Sequence, residues 1–480
     1  MAGGQTLPLQ SVGRAGWRGR GRLGISAGMS LDPPEPELRR LAHLVADRIV
    51  DSLVSLGSQR VAKRYTATEL AADLAEPLPR MGLGVESSVT KLFADVVPKA
   101  TLVHHPRFFA YIPGPGSFVG ALGEWLAAGL NPFVGTWLGG AAFAQLEVET
   151  LRWLAELVGV PGYAGIVTSG GSLANLSALA AARQRIGNLA RATIYVSEEA
   201  HYSLAKAARV LGFAPGHVRA VRTDAALRMD VAELARTITA DRTAGLEPCA
   251  VAATLGTTST GAVDPLQAIG ELCAREEIWF HVDAAYGGAV ALLPEMHGLC
   301  AGVERADSIT IDAHKWLYAP FECGTLLVRD ETALRAAFAA DGLYMQDIPR
   351  NEVNFFERGP ELTRGARALK LWMLLRSVGS DAIADAVRTD LHHARLAREL
   401  LAKDERISIL TEPSLSVFTF AVRGGEAAGR ALVERILADG YLMLSSTKVR
   451  GEFALRFCAV NHRTTQADVR SSAERILALL

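Results

Sequence analysis

A lysine set between two apolar strands constrains the fold of this chain more than any other feature. In the run DSITIDAHKWLYAPFECGTLLVRD, residues 308–311 alternate polar and apolar like a half-buried strand, and residues 324–328 read as a second strand. Lys315 falls between them, after His314 and before Trp316. Lysine is almost never fully buried without a partner. Such an amine either snorkels from a strand end to solvent or is desolvated, so that it loses its charge readily and becomes a nucleophile.

Two further segments decide between these readings. In IWFHVDAAYGG a short apolar strand ends at Asp283, followed by the small Ala284 and Ala285. A carboxylate at the carboxyl end of a strand in an open α/β sheet sits where ligands bind, although Asp also caps turns. In GIVTSGGSLANLSALAAARQR a strand runs into Ser169-Gly170-Gly171-Ser172 and then into a helical pattern marked by Leu173, Leu176 and Leu179. Glycines permit close approach, and a helix start offers unpaired N–H groups and a positive dipole end to an anion. No Gly-Lys-Ser/Thr follows, and the spacing differs from G-x-G-x-x-G, so neither a Walker loop nor a dinucleotide loop is indicated. An anion cup, a strand-end carboxylate and a nucleophilic lysine together match the needs of pyridoxal phosphate. Its ring nitrogen is kept protonated by a facing anion, which makes the ring an electron sink. His201 opens another helical pattern, in AHYSLAKAARVLG, where it caps the helix or stacks on a flat ring. ATLGTT carries Thr257 and Thr258 at a further strand end.

With HPRFFAYIPGPGSF, TSGGSLAN, AHYSLAKA, ATLGTT, HVDAAYGG and DAHKWL in place, the chain resembles the group II pyridoxal-phosphate decarboxylases from about Leu31 to its C-terminus. The resemblance implies a fold-type I α/β enzyme. Its expected parts are a leader (residues 1–28), an N-terminal helical segment (29–118), a large, mainly parallel cofactor-binding α/β domain (119–372) and a small C-terminal α+β domain (373–480). It implies that Lys315 carries the cofactor, Asp283 pairs with the pyridine nitrogen and His201 stacks on the ring. Gly171, Ser172 and His314 would lie at the phosphate, with Ser308 a further candidate there, and Ala285 and Thr258 would line the cofactor. Several relatives have Asn-Pro where this chain has Asp312-Ala313. A carboxylate would repel the phosphate, so Asp312 is given no phosphate contact. Counting from Lys315 places Tyr344 at the mobile-loop tyrosine that protonates the substrate's Cα. Retention of Tyr344 and His201 favours simple decarboxylation over aldehyde synthesis; aminotransferase chemistry on the same scaffold is the other alternative.

The resemblance also assigns a substrate pocket to Val103, Tyr111, Ile112, Pro113, Phe133 and Gly135. No Arg or Lys is among them, which argues against an acidic substrate and for a neutral hydrophobic or aromatic L-amino acid. It implies a homodimer, and the N-terminal segment of relatives packs across the partner.

Composition sets limits. With 480 residues, 49% of them hydrophobic, the chain can bury a large core divided over more than one domain. A net charge of −1 exerts no general pull toward nucleic acid or anionic membrane. The five scattered cysteines form no C-x-x-C pair, as in a reduced cytoplasmic protein, and no apolar run is long enough to span a membrane. No metal site is expected. The first 28 residues are rich in Gly and Arg without an acid, and read as a disordered leader or an over-extended start with Met29 the true one. They are too short to supply the helix-turn-helix domain of a cofactor-binding regulator. Helices are expected over residues 35–56, 392–401 and 426–438, a strand over 415–422, and a hairpin at Val449-Arg450-Gly451-Glu452. The last helix opens at Thr465 and Asp468 as a capping box.

Overall fold

The computed structural model describes residues 31–340 and 342–480, so the expected leader and the alternative start at Met29 lie outside the described residues. The described residues divide into two compact units, 31–54 with Leu70–Pro98, and Ser55–Glu69 with the described residues from Lys99 to Leu480. In the first unit the expected N-terminal helix runs Glu35–Val54. Its Arg40 bridges Glu37 and Glu86, and none of its residues is buried.

The second unit holds two sheets. Strands β1 (Ala164–Thr168), β2 (Ala192–Ser197), β3 (Val218–Val221), β4 (Glu247–Thr254), β5 (Trp279–Asp283), β6 (Ser308–Asp312) and β7 (Gly324–Val328) form one sheet in the order β1-β7-β6-β5-β4-β2-β3. Pairing is parallel throughout β3-β2-β4-β5-β6, and β7 runs antiparallel to both its neighbours. β2, β5, β6 and β7 are buried along their whole length, as expected for strands covered by helices on both faces. One covering helix, Gly171–Arg183, can lie close because its buried side is mostly alanine (Ala174, Ala178, Ala181, Ala182). The end of β1 is braced by a fully buried pair. Glu147 Oε1 accepts from the Val167 amide at 2.9 Å and from Arg364 Nη2 at 2.8 Å.

The second sheet is antiparallel, in the order β10-β11-β9-β8, from β8 (Ile407–Thr411), β9 (Val417–Val422), β10 (Ser445–Val449) and β11 (Glu452–Cys458). The expected hairpin pairs Val449 with Glu452, and Thr465 and Asp468 make the capping box of helix Gln466–Ala478. Two boundaries differ from expectation. The 372/373 division falls inside one long helix, Ala368–Leu401, bent where Gly379 takes φ +81°. In the HPRFFAY segment, Phe109 joins the small sheet's core, while Phe108 and Ala110 pack with Val61. Phe109 stacks on Phe457 at 4.2 Å and exchanges backbone hydrogen bonds with Met443 and Cys458. Phe109 stands between Phe108 and Ala110, and an apolar run of this kind carries no sign in the sequence of which sheet will cover each ring.

Candidate active site

The carboxyl ends of β1, β2, β4, β5 and β6 surround one cavity of about 390 Å³. Lining it are Ser169, Gly171, Ser172, Asn175, His201, Ser203, Thr258, Asp283, Ala285, Asp312, His314 and Lys315. Eight of the expected residues therefore meet: Gly171, Ser172, His201, Thr258, Asp283, Ala285, His314 and Lys315. The reason is topological, since each lies at the carboxyl end of a strand or within four residues after it, in a sheet whose parallel strands all end on one edge.

Asp283 ends β5 and is 5% exposed. Its Oδ1 accepts the Ala285 amide at 3.1 Å and its Oδ2 accepts Asn175 Nδ2 at 2.9 Å. Asn175 Nδ2 also donates to Ser203 Oγ at 3.0 Å, so its carbonyl oxygen is turned to His281 Nε2 at 3.1 Å. His281 must then carry its proton on Nε2 and accept on Nδ1, where Ser308 Oγ lies at 2.8 Å. Ser308 in turn accepts from Trp279 Nε1 at 2.8 Å. Burial pushes the His281 pKa down, against the pull of Asp283, and so favours the neutral ring this arrangement needs. From Trp279 to Asp283 every donor finds an acceptor, which holds the carboxylate in one orientation.

Ser308 is thereby corrected. It is fully buried at the start of β6, the opposite end of that strand from Asp312, and does not line the cavity. Strand polarity is the reason: a residue beginning a parallel strand points its segment away from the edge where ligands bind.

The same network reaches His201. Ser203 Oγ accepts from Asn175, so its own proton goes to His201 Nδ1 at 2.8 Å, and the Ser203 amide donates to that nitrogen at 3.3 Å. In the neutral ring Nε2 keeps the hydrogen. Burial lowers the His201 pKa and favours that form, opposed by Asp283.

Lys315 lies in the turn after β6, its Nζ 3.0 Å from Asp312 Oδ2. His314 accepts the Cys323 amide on Nδ1 at 3.3 Å and is held neutral chiefly by burial. That turn rests on a buried polar platform. Trp316 Nε1 and Tyr318 Oη donate to Asp390 Oδ2 at 2.9 and 2.8 Å, and burial raises the Asp390 pKa to about 7. Across the cavity, Gly171 begins helix Gly171–Arg183, where amides have no intrahelical acceptor. A Cβ on Gly171 would stand 2.8 Å from Asp312 Oδ2, so only glycine fits there.

The six expected substrate-pocket residues do not line this cavity. Tyr111 is 58% exposed with φ +56°, Val103 packs on Val61, Phe108 and Ala110, and Ile112 packs against the large core. Phe133 crowds Gly135 and Gly139, and Gly135 is pressed against the Leu362 backbone. Pro113 precedes Gly114, which abuts the His314 carbonyl, so this block reaches the site's edge without entering it. Tyr344 falls in the single turn Leu343–Met345, and its side chain lies outside the described residues.

The sequence reading does not single out the lining residues Asn175, Ser203, Thr254, Tyr286, Phe321 and Glu322. Asn175 had a signal, since a poor helix former at a position adjoining the apolar stripe of a helix is out of place unless it bonds something. Asp312, given no phosphate contact on charge grounds, lines the cavity as well.

The residues fit pyridoxal 5′-phosphate: a glycine cradle at a helix start for a phosphate, a fixed carboxylate across from it, and a lysine amine between. A lysine-anchored cofactor enzyme on an α/β sheet is the class this geometry defines. Residues 86–423 match the pyridoxal-dependent decarboxylase conserved domain. The chain is 35% identical over 457 residues to an aromatic-L-amino-acid decarboxylase of Bacillus atrophaeus, covering 92% of this chain and 95% of that protein. It is 30% identical to a phenylacetaldehyde synthase of Petunia hybrida, over 89% and 90% of the two chains. Its fold superposes on a crystal structure of Oryza sativa TDC with PLP and tryptamine with a TM-score of 0.90 and 30% identity, over 94% and 99% of the chains. The chain belongs to the pyridoxal-dependent decarboxylase family, the group II pyridoxal-phosphate carboxy-lyases.

Proposed function

We propose that this enzyme decarboxylates a neutral hydrophobic or aromatic L-amino acid to its amine and carbon dioxide. The observation that carries the reading is one cavity enclosing Lys315, Asp283, His201 and the Gly171 helix start. Relatives named as aromatic-L-amino-acid, tyrosine and tryptophan decarboxylases support an aromatic substrate.

In this reading Lys315 anchors the cofactor and Gly171, Ser172 and His314 receive its phosphate. When bound, the cofactor accepts the electrons left at Cα as carbon dioxide departs. Asp283 holds a proton on the ring nitrogen, and the Asn175–His281 chain keeps its carboxylate aimed. His201 offers a flat neutral ring with a hydrogen on Nε2. Tyr344 returns a proton to Cα, and the segment that carries it excludes water. Val103, Tyr111, Ile112, Pro113, Phe133 and Gly135 belong to the substrate pocket only if a partner chain brings them to the cavity.

Support for a homodimer comes from apolar side chains that one chain leaves uncovered. Helix Glu35–Val54 buries nothing, and helix Phe118–Leu130 exposes Trp125, Leu126 and Leu130. Among the described residues no helix is long and apolar enough to cross a membrane, and a cytoplasmic location remains part of this proposal.

A second reading, oxidative conversion to an aldehyde, is favoured by the aldehyde synthases among its relatives, including a Rhodiola rosea 4-hydroxyphenylacetaldehyde synthase structure with a TM-score of 0.87. Incubating the holoenzyme with aromatic L-amino acids and measuring carbon dioxide, amine, aldehyde and hydrogen peroxide separates the two. Amine should dominate. Tyr344→Phe should keep the cofactor and release carbon dioxide, yet cut amine sharply and raise aldehyde. Aldehyde as the main wild-type product would install the second reading, and unchanged amine from the variant would remove Tyr344 as the proton donor.

A further inference from the structure

The sequence gives a reason to keep Asp312 away from a phosphate, yet the structure buries its carboxylate inside the site. Asp312 closes β6 and is 4% exposed. Its Oδ2 is 3.0 Å from Lys315 Nζ and 3.8 Å from His314 Nε2. Its Oδ1 is buried with no hydrogen-bond partner. Two glycines make room for the group: a Cβ on Gly171 would lie 2.8 Å from Oδ2, and one on Gly324 would lie 2.7 Å from Oδ1. A buried carboxylate oxygen without a donor is costly, and the nearest cation is the lysine that must be consumed when the cofactor is anchored.

We propose that Asp312 is a positioning residue for Lys315, receiving its ammonium each time a substrate amine displaces it from the cofactor. This rests on the reading that Lys315 is the anchoring lysine. The exchange balances without an outside reagent. The substrate nitrogen forms the bond to the aldehyde carbon as the Lys315 Nζ bond to that carbon breaks. Each linkage keeps one hydrogen on its nitrogen, so the two hydrogens that the substrate's ammonium gives up end on Lys315 Nζ, which leaves with three. The departing lysine therefore arrives as a cation, and Asp312 supplies both a partner for it and an open second oxygen for its remaining hydrogens. An ammonium so held is kept from returning to the cofactor, which draws substrate exchange forward. Anchoring the lysine, conversely, strips Asp312 of its partner, so the carboxylate opposes the loaded resting state and favours the substrate-bound one.

The test uses the holoenzyme and phenylethylamine, an aromatic amine that can displace the lysine but has no carboxylate to lose. Absorbance titration reads its affinity, and cofactor retention on dialysis is read alongside. Asp312→Asn should hold pyridoxal phosphate as tightly as wild type or more tightly, while binding phenylethylamine about tenfold more weakly, in the range of a hydrogen bond to a charged group. Asp312→Ala should show the same split. Unchanged amine affinity would overturn the proposal. So would parallel loss of amine and cofactor, the signature of a damaged site. Borohydride reduction and peptide mapping run on the same samples separate this from the underlying reading: cofactor found on another lysine would refute the Lys315 assignment itself.

Discussion

Asp390 shows how a residue remote from the cavity sets conditions for it. Its Oδ2 accepts from Trp316, Tyr318 and the Asn461 amide, so it supports the turn that carries Lys315. Burial raises its pKa from 3.8 to about 7, the hydrogen bonds pulling the other way. A folded-state pKa above the unfolded one contributes stability fully at low pH, and that contribution is lost as pH rises through about 7. Asp390→Asn keeps an acceptor without the charge. It should match wild type near pH 3, below the unfolded carboxylate's pKa, and be more stable at pH 8.5 by roughly 2–4 kcal/mol, read as denaturant midpoints at both pH values. A variant equally destabilised at both would show that the carboxylate's hydrogen bonds outweigh its desolvation.

At the scale of elements, the strand–turn–helix from β1 into Gly171–Arg183 is the unit that builds the anion cup. Leu173 and Ala174 amides already bond the Gly170 carbonyl, so the free amides for a ligand are the earliest ones of the helix. Gly171→Ala would push a methyl group to 2.8 Å from Asp312 Oδ2 and shift that helix start. Cofactor affinity should fall more than about tenfold, while thermal unfolding moves by no more than about 1–2 kcal/mol, because the rest of the helix keeps its packing. Fluorescence titration with pyridoxal phosphate beside a thermal melt distinguishes this from general unfolding, in which both would collapse together. The fully buried Glu147–Arg364 pair belongs to the same unit, since it holds the Val167 amide one residue before the end of β1.

For the whole molecule, the question is what covers the apolar face of helix Phe118–Leu130. Trp125 and Leu126 are each 46% exposed and Leu130 is 63% exposed. Burying side chains of this size releases about 1.5–3 kcal/mol each, enough for three of them to matter to association. Light scattering coupled to gel filtration should give twice the chain's mass for wild type, and Trp125→Glu should move it toward one. If the uncovered face serves the homodimer, that variant should lose activity at low concentration and recover it at high. A wild-type protein that elutes as one chain at micromolar concentration would remove the dimer from the proposal.

Sequence alone carried the chemistry because cofactor binding restricts residue types at fixed places: glycine where backbone and ligand approach, Asp and Lys at strand ends, small residues under a flat ring. Gly171, Asp283 and Lys315 were legible for that reason, as were strands with apolar runs; β6 alternates like a half-buried strand, yet all five of its residues are buried because the sheet is covered on both faces. Only the tertiary structure decided what depends on direction and on distant partners. Ser308 reads like Asp312's neighbour in a motif, yet strand polarity puts it at the far end of β6, bonded to Trp279 and His281. Asn175 becomes the link between Asp283 and His201 because three separate segments converge on one amide. Asp312 looks misplaced in a linear motif, and only the 3.0 Å approach of Lys315 Nζ gives its charge a partner. Residue type is local information, but the partner of a buried polar group is set by the packing of elements far apart in the chain.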